Sequence, residues 1–204
     1  MEAHAYPSGA VAPWAEVVWD AGPFTVEELL RLPDDGRQYE VVEGVLVRMA
    51  GSSSEATELA MRLAIRIGFF VEDHDLGAVT GADGVYDFES RGQKNTGLIP
   101  DVGFYHGWRR PSVNPDKAMP FAPDLAVEVA SPSQGRRELA AKAIRYLAGG
   151  TALVWVVWPK TRTVDVWHAE DRQPSTTLDI EDSFDGEDVV PGFTYPLAAL
   201  FRSS

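Results

Sequence analysis

The amino-acid sequence predicts an α/β fold in which a central mixed β-sheet is flanked by helices, with an additional N-terminal hairpin. Two observations lead to this prediction. Segments with helical and strand periodicity occur in the order helix, hairpin, helix, short strands and a strand-helix-strand unit, which is typical of one sheet with helices packed against it. The chain has 204 residues and no internal repeat, which is enough for one sizeable core. We therefore predict an arm over residues 1–22 and a single domain over residues 23–204.

The first elements after the arm carry clear end signals. Thr25 and Glu28 have the spacing of a capping box, and Pro33 ends the short helix that they begin. The following segment reads as two strands that turn at the acid-glycine pair Glu43 and Gly44. The sequence thus predicts a capped helix followed by a β-hairpin.

The middle of the chain contains one long helix and several strands. Residues 53–72 are predicted to be helical, because apolar side chains recur there at helical spacing, at Leu59, Leu63, Ile67 and Phe70. Short strands are expected at residues 78–80 and 85–88, and a longer strand at residues 98–106. Four prolines predict that residues 108–123 form a loop.

The strand-helix-strand unit follows this loop. Residues 124–131 read as a strand, and residues 134–150 read as a helix that two glycines close. Residues 152–159 form a continuous apolar run, of the kind that is buried on both faces of a sheet. The alternating strand at residues 164–169 is expected to pair with this run.

Two short segments complete the chain. Residues 179–188 are rich in acids and are predicted to be a solvated loop. A short helix is expected near residues 197–201.

The net charge restricts the classes of partner. It is −13, so the chain as a whole lacks the basic excess that drives general binding to nucleic acids. A nucleic-acid substrate then requires that basic pairs gather on one face, and the alternative is that they are scattered, solvated charges. The pairs are Arg91 with Lys94, Arg109 with Arg110, and Arg136 with Arg137.

The composition also limits the cellular setting. The absence of cysteine rules out disulfides and thiolate metal sites, and it is compatible with the reducing cytoplasm that we expect. No apolar run reaches the length of about 18 residues that a membrane helix needs, so no membrane association is expected. The first residues lack the basic start and apolar segment of a secretory signal.

Two acids stand in strands that otherwise read as buried. Because side chains alternate along a strand, Glu128 shares a face with Ala126, and Asp101 shares a face with Gly103. If the two strands are adjacent and in register, Asp101 and Glu128 converge over a space that the small residues leave open. Two carboxylates in a partly dry site need a shared proton or a cation, and a hard ion such as Mg²⁺ is the simplest solution. The alternative is that Glu128 is solvated at a strand end or pairs with an arginine.

Five segments carry a resemblance to a known family, and their order is YEVVEG, LIPDVGFY, PDLAVEVASPS, ELAAKAIRYLAGGTALVWVVWP and VVPGFTYPLAALF. The series resembles the Uma2 family of restriction-type endonucleases, within the PD-(D/E)XK nuclease superfamily, from about Phe24 to Phe201. The resemblance implies a restriction-endonuclease-like core. The enzymatic activity of the family is itself inferred from fold and motif.

The resemblance also implies a metal site. Asp101 matches the acid of the first motif and Glu128 matches the acid of the second. Together with the carbonyl group of Val129, they are expected to bind Mg²⁺ or Mn²⁺. Lys142 matches a lysine on the following helix, and Glu40 matches a further acid near the site.

This chain departs from the family and superfamily patterns at several positions. Ala130 occupies the position where superfamily members usually have lysine, and the resemblance implies that Lys142 on the following helix takes its place. Glu138 replaces a family aspartate and keeps its charge, residues 54–58 lack the histidine that often begins the long helix, and Trp158 stands in place of an acid. Without a site role, Lys142 would form an exposed pair with Glu138 that contributes about 0.2 to 0.5 kcal/mol.

The predicted function is a Mg²⁺-dependent endonuclease that hydrolyses DNA phosphodiester bonds, with Asp101, Glu128, Lys142 and Glu40 as the catalytic residues. The aromatic arm and the apolar strand at residues 152–159 favour a homodimer. The alternative is a non-catalytic dimeric binding or regulatory protein on the same fold, which the net charge favours. The nuclease prediction requires that Lys142 points at the two acids.

Overall fold

The structure is a computed structural model that describes residues 16–19, 22–169 and 171–202. The α-helices in these ranges are α1 (Val26–Leu29), α2 (Ser54–Asp73), α3 (Arg136–Ala148) and α4 (Leu197–Leu200). The strands are β1 (Glu16–Trp19), β2 (Tyr39–Val42), β3 (Val45–Arg48), β4 (Gly77–Thr80), β5 (Tyr86–Asp87), β6 (Gly97–Leu98), β7 (Val102–His106), β8 (Leu125–Val129), β9 (Leu153–Trp158), β10 (Thr163–His168), β11 (Thr176–Leu178), β12 (Ser183–Asp185) and β13 (Thr194–Pro196).

The strands form two large sheets and one small ribbon. The six-stranded sheet has the order β11-β10-β9-β8-β7-β4, in which β8 and β9 are parallel and the other neighbours are antiparallel. It is the mixed central sheet that the sequence predicts, and the α/β fold class is confirmed. The five-stranded sheet has the order β1-β3-β2-β6-β5, and β12 pairs with β13. The prediction of one sheet is therefore incomplete, because a second sheet packs beside the first.

Helices cover both faces of the six-stranded sheet. Parallel strands need a crossover connection, and α3 supplies it between β8 and β9. On one face, α2 packs against the sheet through a core that includes Leu63, Ile67, Phe104, Val127 and Trp155. On the other face, α3 and the five-stranded sheet pack together through Val42, Ala126, Leu139, Tyr146 and Val156.

Local signals in the sequence place the helix starts and the hairpin. The hydroxyl of Thr25 accepts the N–H of Glu28, whose carboxylate accepts the N–H of Thr25, so the predicted capping box is confirmed. The hairpin turns where Glu43 and Gly44 have φ values of 51° and 82°, as a type I′ turn requires. Ser53 caps α2, which agrees with the predicted long helix.

Three predicted segments differ from the structure. The loop predicted at residues 108–123 begins within a 3₁₀ helix at Gly107–Ser112. The strand predicted at residues 98–106 is divided into β6, which belongs to the five-stranded sheet, and β7, which belongs to the six-stranded sheet. Pro100 lies in the break, where its missing N–H cannot continue a strand ladder. The loop predicted at residues 179–188 contains β12, in which Phe184 is fully buried against the core below α2.

The predicted arm over residues 1–22 is described only in part. Its residues 16–19 form β1, which pairs antiparallel with β3, whereas residues 1–15, 20 and 21 lie outside the described residues. The division into an arm and one domain stays a prediction. Among the described helices, none combines the length and apolar character that crossing a membrane would need.

Candidate active site

The register of two central strands brings the predicted acids together. Strands β7 and β8 are antiparallel neighbours, with Val102 opposite Val127 and Gly103 opposite Ala126. One residue further along, this register sets Asp101 opposite Glu128. Both acids line the same cavity, as the sequence predicts for adjacent strands in register. The space beside Gly103 is not open, however, because the hydroxyl groups of Tyr86 and Thr80 fill it.

Asp101 is held at the start of β7 by the neighbouring strand. Its Oδ2 accepts the backbone N–H of Val129 at 2.7 Å. The N–H and C=O of one strand residue point to the same side, so the carbonyl group of Val129 also faces the Asp101 strand. Among the described residues, Oδ1 of Asp101 accepts no hydrogen bond.

Glu128 lies near the end of β8 and is almost completely buried, with 4% of its surface exposed. Its Oε1 accepts the hydroxyl of Tyr146 at 2.8 Å and lies 2.9 Å from Nζ of Lys142. Both contacts use the same oxygen, which leaves Oε2 for another partner. The alternatives in which Glu128 is solvated or pairs with an arginine are excluded by this burial and by its lysine partner.

Lys142 lies on α3 and points into the protein. It is 7% exposed, and its Nζ lies 2.9 Å from Oε1 of Glu40 and 3.1 Å from the carbonyl oxygen of Ile99. The exposed pair with Glu138 is therefore not formed. Instead, Glu138 accepts hydrogen bonds from Gln134 and from the backbone of Gly135 at the start of α3.

Glu40 reaches Asp101, Glu128 and Lys142 from the five-stranded sheet, and the four side chains are called the acid cluster below. It lies on β2, where Oε1 accepts the backbone N–H of Ile99 at 2.8 Å in addition to its contact with Lys142. Ile99 stands in the break between β6 and β7. This break lets the backbone contribute an N–H to Glu40 and a carbonyl group to Lys142, and so joins the two sheets at the site.

Burial and the crowding of charge change the ionisation of the cluster. Burial raises the pKa of Glu128 to about 8, and the charges of Asp101 and Glu40 act in the same direction while Lys142 opposes them. Burial also raises the pKa of Asp101. For Lys142, burial alone would lower the pKa, but the three surrounding acids raise it above its ordinary value. Lys142 therefore stays charged, whereas burial favours the protonated form of Glu128 near neutral pH.

The cluster is enclosed but connected to the surface. The cavity that Glu40, Asp101, Glu128 and Lys142 line has a volume of about 30 Å³, which is room for one or two water molecules. An open groove of about 650 Å³ adjoins it, and Asp101 lines both spaces. The buried acids therefore lie next to the groove, with Asp101 at the boundary between the two spaces.

Three contributors to the site were not predicted from the sequence. Tyr146 binds Glu128, the backbone of Ile99 binds Glu40 and Lys142, and Gln134 lines the cavity. Tyr146 follows Lys142 by four residues, which places both side chains on one face of α3, so helical spacing is a signal that could have identified it. No comparable feature of the sequence predicts the contacts of Ile99, because they depend on a break between two strands.

Several of the basic residues considered as a nucleic-acid surface have structural partners. Arg109 forms two hydrogen bonds with the carboxylate of Asp124, and Arg136 contacts Asp165 at 2.8 Å. Asp165 also accepts the indole N–H of Trp158, which explains how a tryptophan is accommodated at the end of β9. These arginines serve packing and ion pairing within the fold.

The donor set fits an ion that keeps much of its water. Within the described part of the chain, no group of three or more His, Cys, Asp or Glu side chains is arranged to hold a metal ion. Mg²⁺ often uses only one or two carboxylates together with several waters. Asp101 and Glu128 each have one oxygen outside the contacts described above, and Val129, whose N–H binds Asp101, could supply its carbonyl oxygen. The residues present are thus compatible with such an ion.

Comparisons with known proteins agree with the fold and the motifs. The model of the Uma2 family, described as "Putative restriction endonuclease", matches residues 26–199. A solved structure of a "putative nuclease belonging to DUF820" from Anabaena variabilis ATCC 29413 aligns with a TM-score of 0.71 and 18% sequence identity, covering 88% of this chain and 98% of that chain. At this identity, the structural match shows a shared fold. No curated protein matches. Because the family model spans most of its length, the chain belongs to the Uma2 family.

Proposed function

We propose that this protein is a divalent-metal-dependent endonuclease that hydrolyses phosphodiester bonds in DNA. The observation that carries the proposal is the convergence of Asp101, Glu128 and Lys142 on one cavity that opens into a groove. Membership of the Uma2 family supports the same class of activity. The specific substrate and the need for a metal ion are parts of the proposal.

Asp101, Glu128 and the carbonyl group of Val129 would hold the ion, which is Mg²⁺ or Mn²⁺. When bound, such an ion polarises the scissile phosphate and lowers the pKa of a coordinated water. Glu128 can hold the ion only after it loses its proton, and burial raises the pKa at which that happens.

Lys142 and Glu40 have distinct roles in this proposal. Lys142 holds Oε1 of Glu128 at 2.9 Å and thereby orients the other carboxylate oxygen. Its positive charge also offsets negative charge that develops on the phosphate oxygens. Glu40 and the carbonyl group of Ile99 fix the ammonium group, so Glu40 acts as a positioning residue.

The proposal is tested by calorimetric titration with Mn²⁺ or Mg²⁺, followed by a nicking assay on negatively supercoiled plasmid, in which unwinding stress locally exposes unpaired strands. The wild type should take up the ion and nick the plasmid only when the ion is present, and Glu128→Ala should do neither. The exposed Glu72→Ala variant is the control and should behave like the wild type. Equal uptake of metal by the wild type and Glu128→Ala would remove the proposed role of Glu128.

A second candidate is a non-catalytic dimeric binding or regulatory protein on the same fold. The net charge of −13 favours it, and so does the contact of Lys142 with two acids, which gives the cluster an internal cation. This candidate predicts that the purified protein forms a stable dimer, takes up no metal ion and leaves the plasmid intact.

A further inference from the structure

The groove beside the acid cluster is bounded by one helix and three further segments of the chain. Its volume is about 650 Å³, within the range of about 300 to 1,000 Å³ that is common for ligand pockets. The N-terminal half of α2 forms one wall, and the segments at residues 36–38, 48–52 and 81–83 form the others. The groove shares six residues with the inner cavity, namely Gln38, Met49, Ala50, Ser52, Ala82 and Asp101. A substrate in the groove therefore lies directly against the acid cluster.

The shape of this region limits what can reach the acids. Glu40 and Glu128 are 3% and 4% exposed, and the inner cavity has no room for a phosphate group. A phosphodiester must therefore lie in the groove, beside Asp101. A space of this size encloses a nucleotide or two of one strand, whereas a duplex would remain outside it with its phosphates on the surface.

The charges of the groove also favour a single strand. Two arginines, Arg37 and Arg48, line it in a chain whose net charge is −13, and Asp83 and Asp101 line it as well. Arg37 also lies 3.8 Å from the carboxylate of Asp35, which reduces its charge toward the groove. A duplex carries one negative charge per about 1.7 Å, twice the density of one strand, and gains affinity by having many phosphates neutralised. Two arginines can contact the phosphates of a short stretch of one DNA strand. The negative charge on the rest of the protein would repel the many additional phosphates of a duplex.

An exposed methionine supplies the apolar part of the groove. Met61, on α2, is 58% exposed although it is a large apolar residue, and it stands beside Ala60 and Ala64 in the wall. A thioether side chain adapts to flat apolar surfaces such as the face of an unstacked base. In a duplex that face is covered by neighbouring base pairs.

We propose that this groove binds an unpaired DNA strand, with Arg48 as a phosphate contact and Met61 as a contact to a base or sugar. The inference rests on the proposed function, because it assigns the substrate form for the same site. In the structure Arg48 forms an ion pair with Glu16 on β1. Glu16 therefore competes with the substrate phosphate for the same guanidinium group.

The test is a fluorescence anisotropy titration, with a labelled single-stranded oligodeoxynucleotide compared with a hairpin duplex of the same sequence. Binding is measured over a series of salt concentrations, once with EDTA and once with Ca²⁺. The wild type should bind the single strand more tightly than the duplex. Arg48→Ala should weaken binding and reduce the slope of log affinity against log salt by about 0.7, the value for one phosphate contact on a single strand.

Matched variants separate the groove from general effects. Arg31, like Arg48, is paired with a glutamate, but it lies outside the groove, so Arg31→Ala should leave affinity and slope unchanged. Met61→Ala should weaken binding without changing the slope. Phe69→Ala, which alters another exposed apolar residue of α2 outside the groove, should bind like the wild type. Glu16→Gln should tighten binding because it releases Arg48.

The outcomes distinguish this inference from the proposed function. A preference for the duplex, the absence of binding to either DNA, or an Arg48→Ala variant with unchanged affinity and slope would overturn the groove assignment, whatever the nicking assay shows. Single-strand binding with the expected variant effects, but no cleavage with any divalent ion, would support the groove assignment and contradict the nuclease proposal. Thermal unfolding of each variant verifies that it is folded.

Discussion

Replacing Glu128 by glutamine should stabilise the metal-free protein as the pH rises through neutrality, while it removes a proposed metal ligand. Glutamine has nearly the same shape as glutamate. Its carbonyl oxygen can still accept the hydroxyl of Tyr146 and an N–H of Lys142. The substitution therefore removes the ionisation of one buried carboxyl group and keeps most of its contacts.

The size of the effect follows from the pKa of Glu128, which burial raises from an ordinary value of 4.5 to about 8. Between these values the unfolded chain has lost the proton and the folded chain retains it, so the folded state binds more protons and the wild type loses stability as the pH rises. Each pH unit corresponds to about 1.4 kcal/mol, so the loss from this group reaches about 3 kcal/mol at pH 7. The Glu128→Gln variant lacks this contribution.

The assay is urea unfolding of metal-free wild type and Glu128→Gln at a series of pH values from about 5 to about 9. The free energy of unfolding of the variant should change less with pH, and the difference between the two proteins should grow in favour of the variant up to about pH 8. The exposed Glu72→Gln serves as a control and should follow the wild type. Parallel curves for wild type and Glu128→Gln would refute the reasoning, because they would mean that Glu128 titrates normally in the folded chain.

Three further predictions concern the ion, the lysine and the packing of β7. The affinity for Mn²⁺ should rise about tenfold per pH unit below about pH 8, because the ion replaces the proton of Glu128. Calorimetry in buffers of different ionisation enthalpy measures the proton released. An affinity independent of pH would contradict this prediction. Lys142→Met leaves two buried acids without their cation. In urea unfolding, the variant should lose about 3 to 5 kcal/mol of unfolding free energy near pH 8 and less near pH 5. An equal loss at both pH values would argue against a charge effect. Gly103→Ala places a methyl group 2.5 Å from the hydroxyl of Tyr86 and should lower the unfolding free energy, measured by thermal unfolding, by about 1 to 3 kcal/mol. Its control Gly68→Ala, whose methyl group meets open space on α2, should raise the unfolding free energy by up to about 1 kcal/mol.

The two principal acids could be predicted because their placement follows local rules. The alternation of side chains puts Asp101 and Glu128 on the faces that carry Gly103 and Ala126, and a single adjacency of strands then brings them together. Lys142 could not be assigned in this way. A lysine on an amphipathic helix usually faces solvent, so only the resemblance to a family suggested the inward position that the structure shows.

The contacts around these residues depended on features with no local signal. The predicted strand at residues 98–106 is interrupted, and at this break near Pro100 the N–H and C=O of Ile99 bind Glu40 and Lys142. Tyr146 was available from helical spacing, but its hydrogen bond to Glu128 depends on how α3 crosses the sheet.

By itself, the sequence determined the elements and their buried faces, because caps, turns and periodicity act over a few residues. It also determined the family, through a series of motifs that spans most of the chain. Only the tertiary structure decided that two sheets meet at one cluster, that Lys142 lies between Glu40 and Glu128, and that Glu128 keeps a proton near neutral pH. Burial and charge interactions depend on groups that are distant along the chain, and folding alone brings those groups together.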